Sequence, residues 1–331
     1  MKKIAIIMGG YSKEYVISLK SGKVVYENLC RKEFDPYRVY LFKDKWIMKD
    51  DKNKEYFINK QDFTVSGNKQ LKFDCIFNAI HGTPGEDGLL QAYFELLRIP
   101  CTGCNFHHAN ITFNKKYCLS LLNHLGINTA KSFFLNKNQI FCTKKILKKT
   151  GLPCFVKPNR SGSSLGISKV YEEQKLLNAV QKAFLEDEEI LVESFLKGKE
   201  VSVGVFSFKN EIIVLPITEI ISQNDFFDFE SKYSGKSQEL TPAKLSPHIE
   251  NKIRKTAKKV YNFLNLSGIT RAEYIIVNEE PFFLEINTIP GLSKESIFPK
   301  QLEIAGISLS DVFKNSIYTS IEKMNEKIKI L

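Results

Sequence analysis

Residues 156 to 166 read VKPNRSGSSLG, an apolar strand that runs into Lys157 and then into a loop of serine and glycine. Glycines and hydroxyl side chains let backbone N–H groups wrap around an anion, and a lysine beside them adds a fixed positive charge. The stretch therefore predicts a phosphate-holding loop at the end of a strand.

A second stretch supplies complementary chemistry. ITRAEYIIV and FFLEINTIPG flank the turn NEEP and predict a β-hairpin symmetric about Glu279. Side chains alternate with period two, which sets Glu273 opposite Glu285 and Arg271 opposite Asn287 on one face. Opposed carboxylates lie about 5 Å apart and repel unless something positive sits between them. Mg²⁺ would serve, since it takes hard oxygen ligands from carboxylates and amides and completes its shell with water or nucleotide phosphate. The competing reading is a solvated strand face whose charge is tempered by Arg271. Phosphate loop, further lysines and acidic hairpin together point to ATP and phosphoryl transfer. No Gly-Lys-Ser/Thr loop follows a strand, so the pattern is not that of a Walker-type NTPase, nor is it that of a protein kinase.

Outward from these stretches, IAIIMGG predicts a buried strand ending in Gly9-Gly10, and SLKSGKVVYENL a helix with Leu19, Val24, Val25 and Leu29 at helical spacing. FDCIFNAIHG then leads through a loop to the amphipathic GLLQAYFELLRI. Such alternation predicts a parallel sheet with ligands at the carboxyl ends of its strands, where Gly10 to Glu14 and His81 to Asp87 lie. From about Ala109 the pattern changes to one helix, TFNKKYCLSLLNHLGI, followed by strands AKSFFL and LPCFVKP and the helix EEQKLLNAVQKAFLED. From near Ile190, ILVESFL, EVSVGVFSF and EIIVLPITEI are spaced like neighbouring antiparallel strands. The polar, aromatic loop from Ser222 to Pro242 is too long for an idle connection.

With 331 residues, 43% of them apolar, the chain can form two or three compact domains. No window reaches the roughly 18 apolar residues of a membrane span, and the apolar run in MKKIAIIMGGYSKE is too short for a signal peptide. Seven cysteines scattered through apolar contexts suit a reducing cytoplasm. CTGCNFHH offers Cys101, Cys104, His107 and His108 to zinc, at a spacing that fits no mechanically justified pattern. The net charge of +11 comes from lysines spread without a long basic arm, which favours a small anionic substrate such as a nucleotide over nucleic acid.

Five motifs in order, GGYSKEYVIS, HGTPGEDG, VKPNRSGSSLG, ESKY and LEINTIPGLSKESIFP, resemble the ATP-grasp superfamily and, within it, the D-alanine–D-alanine ligases over essentially the whole chain. The resemblance implies an α/β and α+β ATP-grasp fold preceded by a parallel-sheet domain. Its parts would be an N-terminal substrate domain (1–106), a central domain (107–190) and a C-terminal domain (191–331) with the metal hairpin and a lid at 222–242. ATP would be gripped between the last two. It further implies D-alanine and ATP as substrates, two Mg²⁺ ions with Mn²⁺ as an alternative, a cytoplasmic homodimer without nucleic-acid or membrane partners, and a role in peptidoglycan biosynthesis.

Residue by residue, Lys115 and Lys157 match the family's phosphate lysines, a compact charge suiting a phosphate oxygen. Glu193, Ser194, Phe195 and Leu196 match the segment that hydrogen-bonds adenine, Glu200 the ribose-binding carboxylate, and Lys232 a residue near the γ-phosphate. Glu273, Glu285 and Asn287 match the Mg²⁺ ligands. In the implied chemistry the carboxylate of one D-alanine attacks the γ-phosphate to form an acyl phosphate, which the amine of the second D-alanine then attacks. Arg271 and the Gly291 N–H match the groups that stabilise the oxyanion of that second step. Glu14 matches the partner of the first ammonium, with His81 beside it. Ser163, in the phosphate loop, matches the serine that links Glu14 to Tyr233 of the lid and helps manage the second amine's proton. Ser296, with Ile297, matches the site of the second carboxylate.

The sequence departs from the family pattern at Glu273, where many members have Asp, and at Val16 and Ser161, where acids are common. Rival readings are a sister D-alanine–D-serine or D-alanine–D-lactate ligase, another ATP-grasp carboxylate–amine ligase, and a nucleotide-binding protein without catalysis. Tyr233 favours the dipeptide over the D-lactate ester, whose makers lack the lid tyrosine.

Overall fold

The structure, a computed structural model, describes residues 1–67, 71–222 and 237–330. Its first sheet comprises β1 (Lys2–Gly9), β2 (Phe34–Leu41), β3 (Trp46–Lys49), β4 (Glu55–Asn59), β5 (Thr64–Val65) and β6 (Cys75–Asn78), in the order β5-β4-β3-β2-β1-β6. Helix α1 (Tyr15–Asn28) crosses from β1 to β2, and α2 (Leu89–Leu96) follows β6. The expected parallel sheet is only its core: β1 runs parallel to β2 and β6, whereas β3 to β5 extend it antiparallel. The links after β2 and β3 are single turns, and a parallel return needs a crossover of a dozen or more residues.

Around Asn114 the single helix expected from TFNKKYCLSLLNHLGI is two, α3 (Phe106–Phe113) and α4 (Lys115–His124). Asn114 closes the first and caps the second, its carboxamide oxygen accepting the Tyr117 N–H. An asparagine side chain competes with helical hydrogen bonding in this way and here places Lys115 in the first turn of α4. Asn114→Ala is expected to cost about 1 kcal/mol in urea unfolding. No change in the unfolding midpoint would refute the cap.

A second, antiparallel sheet holds β7 (Ser132–Asn136), β8 (Cys154–Pro158), β9 (Ser168–Val170) and β10 (Glu189–Ser194) in the order β7-β10-β8-β9. Helices α5 (Thr143–Thr150) and α6 (Glu173–Ala183) cover it. Here the reading of ILVESFL is corrected: β10 does not lie beside EVSVGVFSF but sits between β7 and β8, so the central sheet continues past residue 190. The cause is its double burial. Ile190 and Val192 join the core under α5 and α6, whereas Leu191 points into the core of the third sheet.

The third sheet comprises β11 (Lys199–Phe208), β12 (Glu211–Val214), β13 (Thr218–Ser222), β14 (Ser237–Leu240), β15 (Ile269–Val277) and β16 (Glu280–Asn287). It is ordered β14-β13-β11-β15-β16, with β12 also pairing β11. EIIVLPITEI is thus two strands, parted at Pro216, which has no N–H for a ladder. Residues 237–240 of the expected lid are strand β14, paired to β13. Helices α7 (Pro247–Phe263), α8 (Ile297–Ile304) and α9 (Leu309–Ile330) complete the chain. Val312, Phe313 and Ile317 of α9 pack against Ile4, Ile6, Met8 and Phe77 of the first sheet and against Phe206 and Phe298, so one core joins the two ends of the sequence. Among the described residues no helix is long and apolar enough to cross a membrane.

Candidate active site

Between the second and third sheets lies a cleft of about 510 Å³, lined by Lys157, Glu193, Phe195, Glu200, Glu273 and Glu285 among others. It therefore unites the expected adenine segment, ribose acid, phosphate lysine and metal acids. Lys157 projects from β8 and pairs with Glu193 of β10 at 2.7 Å, their side chains only 11% and 4% exposed. Burial works against the Lys157 charge, but Glu193, then Glu285 and Glu200, outweigh it and hold its pKa above the ordinary lysine value. Lys115 reaches the same region from α4, donating to the Ser161 carbonyl at 2.7 Å and standing 3.7 Å from Glu285.

The hairpin that carries the acids pairs Glu273 with Glu285 and Arg271 with Asn287, the expected register at that end. Its turn differs from the symmetric one expected. Asn278 and Glu279, both at positive φ, form a two-residue turn, and Val277 pairs with Glu280. Tyr274 then pairs with Phe283, and a β-bulge at Leu284 restores the far register. Without that extra residue Glu285 would oppose Ala272 and face the core, because a one-residue slip exchanges the faces of a strand. Glu273, 2% exposed, is bonded by the Arg271 guanidinium, which also donates to Ser202 Oγ at 3.0 Å. Burial opposes the Arg271 charge, but Glu273, Glu285 and Glu239 hold its pKa up. Among the described residues no three His, Cys, Asp or Glu side chains form a group that could hold a metal; the hairpin carries the two carboxylates and Asn287 two residues beyond Glu285. Cys101, Cys104, His107 and His108 form no such group either; Cys104 is buried and donates to the Ser267 carbonyl.

On the side of the first sheet, Glu14 precedes α1 and meets the Gly-Ser loop expected to hold phosphate. Ser163 Oγ donates to Glu14 Oε1 at 2.5 Å, from a backbone that is left-handed at both Ser163 and Ser164. A Cβ on Gly162 would lie 2.7 Å from Glu14 Oε2, so the loop closes on the carboxylate only because that residue is glycine. His81 is buried below, its Nε2 3.0 Å from Ser21 Oγ. Burial pulls its pKa down to about 4, against the Ile289 carbonyl and with the Arg271 charge, so the ring is neutral and orients without adding charge.

Beyond β16, Ser296 caps α8 without spending its hydroxyl on the cap; Oγ lies 3.0 Å from Ser293 Oγ, and a Cβ on Gly291 would lie 2.7 Å from it. The Ile297 end of α8 offers backbone N–H groups to an anion at the same place. Ile289 N–H is bound to Glu86 and Leu292 N–H to Ser21, and Pro290 has no N–H. Among the described residues Gly291 N–H has no acceptor, as a donor kept for a substrate oxygen requires.

Sequence reasoning passed over Glu86 and Ser21. Burial, then the Glu14 charge, pushes the Glu86 pKa up to about 8, against the N–H groups of Gly82 and Ile289 that it accepts. A trace of both lay in the quoted runs HGTPGEDG and SLKSGK, as polar side chains inside segments whose neighbours are buried. Lys232 and Tyr233 lie outside the described residues.

Residues 3–104 match the family model described as D-ala D-ala ligase N-terminus, and residues 121–318 the one described as D-ala D-ala ligase C-terminus. The chain is 55% identical over 322 residues to a D-alanine–D-alanine ligase of Flavobacterium johnsoniae, covering 97% of this chain and 100% of that relative. It is 50% identical over 323 residues to a D-alanine–D-alanine ligase of Christiangramia forsetii, covering 97% and 99%. Among solved structures, the VanG D-Ala:D-Ser ligase from Enterococcus faecalis superposes with a TM-score of 0.85 at 32% identity, covering 95% of this chain and 98% of that one. The D-alanine–D-alanine ligase from Bacillus anthracis complexed with ATP gives 0.79 at 27%, covering 99% and 100%.

Proposed function

Because the chain belongs to the D-alanine–D-alanine ligase family, we propose that it joins two D-alanines at the expense of ATP, through an acyl phosphate, to supply peptidoglycan assembly. The observation that carries the reading is the Ser163–Glu14 contact, which ties the phosphate loop to an acid suited to an amino-acid ammonium. Lys157 and Lys115 neutralise nucleotide phosphates, while Glu193 to Leu196 and Glu200 take the adenosine. Glu273, Glu285 and Asn287 fit Mg²⁺, being hard oxygen donors gathered on one hairpin face. When bound, such ions draw charge from the phosphates and so favour transfer.

Glu14 holds the first ammonium, which turns that substrate's carboxylate toward the γ-phosphate. The carboxylate oxygen bonds to phosphorus as the bond to ADP breaks. The second D-alanine rests its carboxylate on Ser296 and Ile297, and its amine attacks the activated carbonyl. Arg271 and the Gly291 N–H take the oxyanion; the amine proton leaves by Ser163 and Tyr233, and collapse expels phosphate. The working form is a cytoplasmic homodimer, after the family pattern.

A second reading keeps every first-substrate group and seats D-serine second, as the likeness to the VanG D-Ala:D-Ser ligase suggests. Phosphate release from ATP and Mg²⁺, with D-alanine, L-alanine, D-lactate or D-serine offered and products weighed by mass spectrometry, decides. D-Alanyl-D-alanine from D-alanine alone is expected. A D-serine product formed in preference establishes the second reading, and no D-alanine-dependent release from folded, ATP-binding protein overturns both.

A further inference from the structure

We infer that Ser21 and Glu86 are positioning residues for the peptide-forming step, clamping the segment 289–292 from both sides so that the Gly291 N–H stays aimed at the substrate carbonyl oxygen. The inference rests on the reading of Gly291 given above. Glu86 uses one oxygen for Gly82 N–H at 2.7 Å and the other for Ile289 N–H at 3.2 Å, fixing the entry to the segment against the loop that follows β6. Ser21 Oγ accepts Leu292 N–H at 3.1 Å and fixes the exit against α1. The same hydroxyl lies 3.0 Å from His81 Nε2, which ties this clamp to the buried ring.

Both clamps are interior, Ser21 at 0% and Glu86 at 8% exposure, where bulk water is not at hand to replace the acceptor of a stripped N–H. Between them stand Pro290, whose ring fixes φ, and Gly291, the residue whose peptide must not rotate. The clamps also come from the part of the chain that carries Glu14. The elements holding the first substrate thereby set the donor for the second step, although neither Ser21 nor Glu86 contacts the segment's free N–H itself.

A clamp on the oxyanion donor predicts a selective defect. In Ser21→Ala the Leu292 N–H loses its acceptor and the segment is free to turn. Transfer of phosphate to the first D-alanine does not use Gly291 and is expected to stay within about threefold of wild type. That transfer is read as exchange of the β,γ-bridging oxygen of ATP in the presence of D-alanine. Dipeptide formation is expected to fall about 10- to 100-fold, since loss of a whole oxyanion donor costs about 10²–10³. Acyl phosphate left waiting is taken by water, returning D-alanine and phosphate, so phosphate released per dipeptide rises above one. Glu86→Gln, which keeps shape but can accept only one of the two N–H groups, is expected to show the same imbalance more weakly.

Wild-type protein that makes no dipeptide defeats the proposed function itself. Wild-type dipeptide synthesis with a normal ratio of phosphate to dipeptide in both variants defeats only the clamp. If one variant fails to fold in a thermal melt, the other decides; unfolding of both assigns these contacts to stability and also overturns the inference.

Discussion

Lys157→Met is expected to abolish ATP-dependent turnover and to destabilise the fold by about 3–5 kcal/mol in the same stroke. Its ammonium is the buried partner of Glu193, and removing one member of such a pair leaves the other charge uncompensated inside the protein. Stability and chemistry can be separated by a second change. Lys157→Met with Glu193→Gln removes both charges and is expected to recover most of the lost stability in chemical denaturation without recovering turnover. A single variant that unfolds like wild type would deny that the buried pair supports the fold, and one that keeps more than about a tenth of its turnover would deny Lys157 the phosphate.

Glu14→Gln acts on chemistry and spares the fold. The substitution keeps the volume that Gly162 admits but replaces the acceptor of the Ser163 hydroxyl and removes the charge proposed to hold the first ammonium. Loss of a partner from a desolvated charge pair costs about 2–5 kcal/mol, or roughly 10²–10³ in kcat/KM for D-alanine near the middle of that range. ATP affinity and the thermal midpoint are expected to stay put, because Glu14 does not line the cleft proposed for the nucleotide. Steady-state kinetics in D-alanine, with ATP binding measured separately, checks this. An unchanged KM for the first D-alanine would reassign its ammonium to another acid.

Several of these residues are legible in the amino-acid sequence because their chemistry is local. Period-two alternation puts Glu273 and Glu285 on one face of a hairpin, and an apolar strand entering a Gly-Ser loop announces Lys157. The hairpin also shows the limit: its turn is offset from where symmetry put it, and only the bulge at Leu284 brings the acids back into line. Nothing in the string FFLEIN marks Leu284 as extra, because a bulged leucine is spelled like any other. Strand β10 reads as a strand from its apolar run, yet its partners depend on which two cores claim Ile190, Leu191 and Val192. Ser21 and Glu86 escape notice for a similar reason. A buried serine acquires its task from a backbone N–H that arrives from Leu292, far along the chain, and no spacing rule reaches that distance.

The placement of α9 bears on how the protein is made. One face of the first sheet is sealed by Val312, Phe313 and Ile317, which are synthesised long after the strands they cover. At roughly 5–20 residues per second a ribosome needs about 10–50 s to go from Phe77 to that helix. For that interval Ile4, Ile6, Met8 and Phe77 have Val25 of α1 and Leu29 just after it against them but lack the cover of Val312, Phe313 and Ile317. Closure of the N-terminal sheet therefore waits for α9, and Glu14 meets the Ser163 loop on a sheet completed from far along the chain.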